Sequence, residues 1–343
     1  MSVDIDTSVL RDWLCDNVPG LESGGIEIDK FPGGQSNPTY RITGSVGRYV
    51  LRRKPFGELL PSAHAVDREY RLLSALHPQG YPVPRPILLC DDTMVIGSMF
   101  YVMEMIDGVT FWDGLLPDVQ KENRRAHYES LVDTLAALHM IDHEAIGLAD
   151  FGASGNYVAR QVQRWTKQYR AAQTDDIPEI DKLIEWLPAT LPDQTGIGII
   201  HGDYRIDNVI YARNSSNIIG VLDWELATIG DPLADFTYFA MSWVMPPDGR
   251  AGLLGVDFEA TGVPTLEEIV SRYCAATGRS GGLPDLHWYF SYNLFRLAGI
   301  IQGIKKRAID GNASSDAAQQ AIARLELFAR IAWDQAKLAG ATD

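Results

Sequence analysis

Three side chains that carry oxygen donors follow one another at short intervals near the middle of the chain. Asp203 and Asn208 belong to the string His-Gly-Asp-Tyr-Arg-Ile-Asp-Asn that begins at His201, and Asp223 comes fifteen residues after Asn208. A positioned carboxylate can orient a hydroxyl nucleophile and accept its proton, and Mg²⁺ binds through oxygen ligands that include one or two protein carboxylates. The spacing therefore predicts phosphoryl transfer from a nucleotide, with Asp203 as the base and with Asn208 and Asp223 as the metal ligands.

Two apolar runs lead into these residues, over 197–200 before the string and over 218–222 before Asp223. Between them, residues 209–211 and the turn-forming residues 214–217 predict a short strand and a hairpin turn. An Asp followed five residues later by Asn can arise by chance. A second Asp at hairpin distance, between two apolar strands, makes chance a poor explanation.

The remaining elements divide the chain into two parts. Alternating segments at 26–28, 39–42 and 49–53 are separated by glycine-containing turns and predict an antiparallel sheet. Beyond residue 107 the pattern becomes mainly helical, with long helices predicted over 117–140 and 317–338 among others. We therefore expect an α+β protein with its strands concentrated in the first third.

Composition narrows the classes of partner and compartment. The 343 residues carry a net charge of −15, which argues against nucleic acid or an anionic membrane as partner. The three cysteines have no metal-site spacing, the N-terminus is acidic rather than apolar, and no apolar run approaches the length of a membrane span. We expect a cytoplasmic protein, and its oligomeric state remains open between monomer and homodimer.

The string at 201–208 and the Asp-Trp-Glu segment at 223–225 resemble those of the aminoglycoside phosphotransferase and choline kinase family. Residues 50–55, 68–70 and 83–86 make the resemblance closest to the branch that is also found fused to acyl-CoA dehydrogenases. The resemblance implies a protein-kinase-like two-lobed fold. Residues 1–106 would form the nucleotide-binding lobe, a small antiparallel sheet, and residues 107–343 the mainly helical catalytic and acceptor-binding lobe.

The same resemblance implies residues that bind the phosphates of ATP. The kinase pattern Val-Ala-Ile-Lys, laid on the third predicted strand, assigns Arg52 to the phosphates and Val50 to the adenine. Arginine suits this task because its guanidinium group binds phosphate through two parallel hydrogen bonds. Glu69 would orient Arg52, although a surface glutamate paired with Arg68 or Arg71 is an open alternative.

Further contacts with ATP follow from position in the family alone. Gly34 and Ser36 lie in the turn where the family covers the phosphates, although that turn by itself predicts only a hairpin. Met103 would be the gatekeeper next to the adenine. The backbone groups of Glu104 and Ile106 would meet the edge of the base.

Several other polar residues are predicted to support the site. His139 is expected to be a helix-end residue bonded to local backbone, and His201 to tie the loop that carries the base. Asp231 is expected to cap the following helix, and Asp235 resembles the brace that the family places after its metal site. Arg296 stays open between binding an anionic acceptor group and pairing with a brace.

The acceptor is predicted to be the hydroxyl of a small molecule. Gly202 replaces the arginine that protein kinases carry, and no Ala-Pro-Glu string follows Asp223, so a peptide-docking platform is not expected. Fusion to acyl-CoA dehydrogenases suggests a hydroxylated acyl compound, for which a basic and apolar acceptor site is expected. An aminoglycoside or choline-type kinase, with an acidic site, is the alternative. A nucleotide-binding scaffold without phosphotransfer is the third.

Overall fold

The computed structural model describes residues 5–21, 25–31, 37–56, 65–153, 155–247, 251–311 and 316–342. The chain divides into two compact units. The first comprises Met1–Thr110, Glu144–Leu148 and Asp207–Ala227, and the second comprises Phe111–His143, Ala149–Ile206 and Thr228–Asp343. The division after residue 106, which was assigned by resemblance, stays a prediction.

The strands of the described residues are Glu27–Lys30 (β1), Thr39–Thr43 (β2), Arg48–Arg53 (β3), Pro86–Cys90 (β4), Phe100–Glu104 (β5), Gly198–Ile200 (β6), Val209–Tyr211 (β7), Ile218–Val221 (β8) and Thr228–Gly230 (β9). The α-helices are Thr7–Asn17 (α1), Val66–Leu76 (α2), Thr93–Ile96 (α3), Lys121–Met140 (α4), Tyr157–Ala172 (α5), Pro178–Ala189 (α6), Pro232–Ala240 (α7), Phe258–Thr261 (α8), Leu266–Ala276 (α9), Leu286–Ile309 (α10), Asp316–Ile322 (α11) and Leu325–Leu338 (α12). The single helix predicted over 317–338 is wrong, because the chain leaves helical geometry between α11 and α12. No helix in the described part of the chain combines the length and apolar character that crossing a membrane requires.

An antiparallel sheet in the order β1-β2-β3-β5-β4 forms the centre of the first unit. The inward-facing side chains of its strands, among them Leu51, Phe100 and Val102, are fully buried in one apolar core. Leu10 and Leu14 from α1 join this core because they lie four residues apart, on one face of the helix. Burial of alternate residues fixes the register of each strand, and with it the face on which every other side chain lies.

The hairpin of β7 and β8 also belongs to the first unit, and it aligns Val209 with Val221. One residue beyond that pair, the backbone N–H of Leu222 donates to the carbonyl oxygen of Asn208 at 2.8 Å. Asn208 and Asp223 therefore flank the same end of the hairpin. The strand-turn-strand arrangement predicted from the sequence is confirmed.

The helix α10 is buried over most of its length and packs against α5, α7 and α12 in the second unit. Its Asn293 donates from Nδ2 to the carbonyl oxygen of Ala234 and to Oγ1 of Thr237, both at 3.0 Å. These bonds hold α7 against α10. The short strands β6 and β9 pair beside them, and the chain passes directly from β6 into the loop that begins at His201.

Candidate active site

A buried ion pair joins β3 to α2 in the first unit. Nε of Arg52 lies 2.9 Å from Oε2 of Glu69, and only 15% and 4% of the two side chains are exposed. Tyr101 donates its hydroxyl to Oε2 of Glu69 and Asn37 donates its amide to Oε1, each at 3.0 Å. The predicted pairing of Glu69 with Arg52 is therefore present. The surface alternative is wrong, and Arg71 instead donates to the carbonyl oxygen of Gly147.

Burial and charge oppose each other within this pair. Burial raises the pKa of Glu69 to about 6, and the attraction of Arg52 and the hydrogen bond from Tyr101 only partly offset it. For Arg52, burial favours the neutral form, but Glu69, Asp223 and Glu225 outweigh it and raise the pKa further. The guanidinium group therefore stays charged, with its direction set by carboxylates.

Asp223 ends the hairpin in a left-handed backbone conformation, with φ at 64° and ψ at 59°. Residues other than glycine seldom adopt this conformation, which is concentrated at functional sites. Oδ1 of Asp223 accepts a hydrogen bond from Nη2 of Arg52 at 3.0 Å, and 39% of the side chain remains exposed. The turn therefore directs the carboxylate toward the guanidinium group that the phosphates would meet.

The pair Asn208 and Asp223 suits a magnesium ion rather than a softer metal. A carboxylate and an amide oxygen are hard donors, and protein Mg²⁺ sites combine few such ligands with phosphate oxygens and water. No group of three or more His, Cys, Asp or Glu side chains that could hold a metal occurs among the described residues. The residues present therefore fit a metal that arrives with a nucleotide, and their assignment as ligands stays a prediction.

A cavity of about 290 Å³ lies wholly within the first unit. Its wall includes seven residues that the sequence assigns to nucleotide or metal, namely Val50, Arg52, Glu69, Met103, Glu104, Ile106 and Asp223. The apolar residues Phe31, Leu73, Ile210, Val221 and Leu222 complete much of the remaining wall, and the sequence did not single them out. Asn208 is not in the wall, and Gly34 and Ser36 lie outside the described residues.

The loop that carries Asp203 is fixed by buried groups of the second unit. Asp235 accepts hydrogen bonds from the backbone N–H groups of His201 at 2.7 Å and Gly202 at 2.8 Å. Nε2 of His139 lies 3.2 Å from Asp235, and its Nδ1 lies 2.8 Å from the hydroxyl of Tyr273. His139 therefore bonds to distant side chains, and the prediction of a bond to local backbone is wrong.

The bonds of Asp235 to the backbone of His201 and Gly202 confirm the prediction that Asp235 braces the loop. Burial favours the protonated form of Asp235, but the hydrogen bonds and charge of the groups around it, led by His139, outweigh it and lower the pKa. The backbone N–H of Asp203 donates to Nδ1 of His201 at 3.2 Å. Asp231 caps α7 by accepting from the N–H of Leu233, as predicted.

The carboxylate of Asp203 is 20% exposed, and the side chains of Tyr238 and Arg205 contact it. The hydroxyl of Tyr238 donates to Oδ1 at 2.6 Å, and Nε of Arg205 lies 3.4 Å from the same oxygen. Arg296 supports the loop from α10, because its Nη2 donates to the carbonyl oxygen of Gly202 at 2.6 Å. The sequence left Arg296 open between binding an anionic acceptor group and pairing with a brace. This bond to a backbone oxygen is neither of the two.

Comparison with known proteins identifies the family of the chain. The model of the Phosphotransferase enzyme family matches residues 27–278. The chain belongs to this family. The resemblance drawn from the sequence is thus confirmed.

Two known proteins are similar to this chain over most of its length. Acyl-CoA dehydrogenase family member 10 of Mus musculus is 42% identical over 323 residues, which are 93% of this chain and 30% of that protein. This chain thus spans less than half the length of this curated relative. A structure from Ralstonia eutropha JMP134, provisionally assigned as an aminoglycoside phosphotransferase, is 40% identical with a TM-score of 0.88, over 98% of this chain and 99% of that one.

A more distant structure supports the fold. Choline kinase from Cryptosporidium parvum Iowa II has a TM-score of 0.70 at 12% identity, over 97% of both chains. The protein-kinase-like fold, with a small antiparallel sheet followed by a mainly helical part, is therefore confirmed.

Sequence reasoning missed two residues that contact Asp203. Arg205 stands two positions after Asp203 inside the very string that identified the base. Tyr238 lies thirty-five residues away, in a run of apolar residues that reads as ordinary core. The first could have been found from the motif, whereas the second carries no local signal.

Proposed function

We propose that this phosphotransferase moves the γ-phosphate of ATP to a hydroxyl of a small molecule in a Mg²⁺-dependent reaction. The observation that carries the proposal is the buried ion pair of Arg52 and Glu69 in the wall of a largely apolar cavity that also holds Asp223. Apolar walls suit a base, a fixed guanidinium group suits phosphates, and a carboxylate suits the metal that accompanies them. Few other ligands need all three.

The adenine is assigned to the apolar part of this cavity. Val50 and Met103 would pack against the base. The N–H groups of Glu104 and Met105 donate within the sheet, to the carbonyl oxygens of Arg85 and Arg48. The edge of the base is therefore assigned to the carbonyl oxygen of Glu104 and the N–H of Ile106.

The phosphates are assigned to the polar end of the cavity. Arg52 would bind them in the direction set by Glu69, and Gly34 and Ser36 would supply backbone and hydroxyl donors. Asn208 and Asp223 would hold Mg²⁺, which when bound neutralises charge that develops on the phosphate oxygens. Replacing the contact between Arg52 and Asp223 by contacts with phosphate and metal would satisfy both groups.

Asp203 is assigned to the acceptor. Its carboxylate would orient the acceptor hydroxyl and take its proton, while the hydroxyl oxygen forms a bond to the γ-phosphorus. The bond from that phosphorus to the bridging oxygen breaks, and ADP leaves. The proposal requires Asp203 and the ligands of the nucleotide to act on the same ATP molecule.

A second cavity supports a hydroxylated acyl compound as the acceptor. It has a volume of about 180 Å³, lies wholly within the second unit, and includes Tyr238 and Arg205, both of which contact Asp203. Its apolar wall is formed by Met241, Met245, Leu297, Ile301 and Phe328. Arg324 adds a second cation, and none of the described residues in its wall is acidic. Such a wall favours an apolar acceptor with a negative charge over a polycationic aminoglycoside or choline.

A screen with Mg·ATP tests the proposal. Hydroxy acids, hydroxyacyl-CoAs, amino alcohols and aminoglycosides would be incubated with the wild-type protein and with Asp203→Asn, and the products read by mass spectrometry. We expect a phosphorylated hydroxy acid or hydroxyacyl thioester from the wild type only. Phosphorylation of aminoglycosides or amino alcohols alone would refute the acyl acceptor, and nucleotide binding without any product would favour the scaffold.

A further inference from the structure

Tyr238 makes a short hydrogen bond to the carboxylate assigned as the base. Its hydroxyl donates to Oδ1 of Asp203 at 2.6 Å, a length typical of an O–H donor bound to a charged carboxylate. The residue projects from α7, and 5% of it is exposed. By contrast, Arg205 reaches the same oxygen at 3.4 Å with a side chain that is 38% exposed. The buried phenol is therefore the better fixed of the two contacts.

The ring of Tyr238 is itself held in place by Arg296. The guanidinium carbon of Arg296 lies 4.8 Å from the centroid of that ring, and its Nη2 donates to the carbonyl oxygen of Gly202 at 2.6 Å. One buried cation thus holds the backbone just before Asp203 and the ring whose hydroxyl binds Asp203. This closed set of contacts leaves little freedom for either group.

The charged groups that face the phenol keep it a donor. Burial raises the pKa of Tyr238, and the negative charge of Asp203 raises it further, while Arg296 and Arg205 oppose these effects. The net direction is upward, so the hydroxyl remains protonated at neutral pH and can donate only toward the carboxylate that faces it.

We propose that Tyr238 is a positioning residue that fixes the plane of the Asp203 carboxylate for proton transfer. This inference rests on the proposed function of Asp203. With Oδ1 held by a rigid phenol, the direction of Oδ2 is set as well. Because Tyr238 also forms part of the wall of the second cavity, an acceptor bound there contacts the ring that positions the base.

A first experiment tests the hydrogen bond in solution without any turnover. The fourteen tyrosines would be labelled with ¹³C at Cζ, and the resonance of Tyr238 assigned as the one missing from Tyr238→Phe. We expect it to shift in Asp203→Asn and to stay in place in Asp133→Asn, which removes a carboxylate paired with Arg272 at the surface. An unchanged resonance in Asp203→Asn would overturn the inference.

A second experiment tests the positioning role through the hydrolysis of Mg·ATP, with water as the acceptor. We expect Tyr238→Phe to lower kcat about tenfold and to leave KM for ATP unchanged, because the substitution frees the carboxylate that takes the proton but touches no residue assigned to the nucleotide. Tyr128→Phe is the matched control, since it removes a buried hydroxyl bonded to the carbonyl oxygen of Gly114.

The outcomes separate this inference from the proposed function. If the wild type is active and Tyr238→Phe has the same kcat and KM as Tyr128→Phe, the positioning role is overturned. The proposal of phosphotransfer is then unaffected. No turnover of Mg·ATP by the wild type, even with every acceptor of the screen, would overturn phosphotransfer and the positioning role together. The resonance of Tyr238 would then report only a structural contact.

Discussion

Replacing Glu69 with glutamine tests whether burial or attraction dominates the ion pair at the proposed nucleotide site. Glutamine keeps the shape of the side chain and resembles the protonated carboxyl group, but it does not titrate. In the wild type, burial raises the pKa of Glu69 from 4.5 to about 6, even with Arg52 at 2.9 Å. The folded protein therefore binds this proton more tightly than the unfolded chain does.

The size of the effect follows from the two values. A difference of about 1.5 between them corresponds to about 2 kcal/mol, at 1.36 kcal/mol for each pH unit. Because the pKa is raised on folding, this stabilising contribution is fully present below pH 4.5 and is lost as the pH rises through about 6. The free energy of unfolding of the wild type should thus fall relative to Glu69→Gln by about 1 kcal/mol between pH 5 and 7.

Urea denaturation of both proteins at pH 5, 6 and 7 measures this difference. The eight tryptophans provide a fluorescence signal, and subtracting the two free energies at each pH cancels every other titrating group. We expect the free energy of unfolding of the variant to rise relative to that of the wild type as the pH rises. A constant difference, or a wild type that gains stability relative to the variant as the pH rises, would refute the reasoning. Either result would mean that burial does not outweigh the attraction of Arg52.

Three further substitutions test the assigned roles. Asp203→Asn should lower kcat by about 10²–10⁴ while calorimetry finds unchanged Mg·ATP binding, and a wild-type rate would contradict its role as the base. Asp223→Ala should abolish the dependence of nucleotide binding on Mg²⁺, seen as equal affinities with and without the metal. Arg324→Gln should raise KM for an acidic acceptor about tenfold and leave KM for ATP unchanged, with the exposed Arg307→Gln as control. Equal effects of these two arginine variants would argue against an anion at the second cavity.

Much of the first unit could be predicted because its signals are local. Alternation of apolar residues set the strands, the turn-forming residues at 214–217 set the hairpin, and the register of that hairpin brought Asn208 and Asp223 to one end of it. The partner of Arg52 was predicted for a different reason, since resemblance supplied a pairing between a strand and a helix that periodicity does not encode.

The contacts around Asp203 could not be predicted because they join distant parts of the chain through residues that look like core. Tyr238 stands in the string Phe-Thr-Tyr-Phe-Ala-Met, and nothing in that pattern distinguishes a phenol that binds a carboxylate from one that only fills space. His139 was misread for the same reason. Its position at the end of α4 suggested a local bond, whereas the groups that bind it come from α7 and α9.

The position of Arg296 changes where an anionic acceptor should bind. Its guanidinium group already donates to the carbonyl oxygen of Gly202, lies against the ring of Tyr238, and is 7% exposed. Turning it toward a ligand would break the bracing of the loop that carries Asp203, so a carboxylate or phosphate on the acceptor requires another cation. Arg205 and Arg324 form part of the wall of the second cavity, and they are the cations assigned to that charge. Selectivity for an anionic acceptor should therefore depend on these two residues, while Arg296 contributes to the rate through the position of the base.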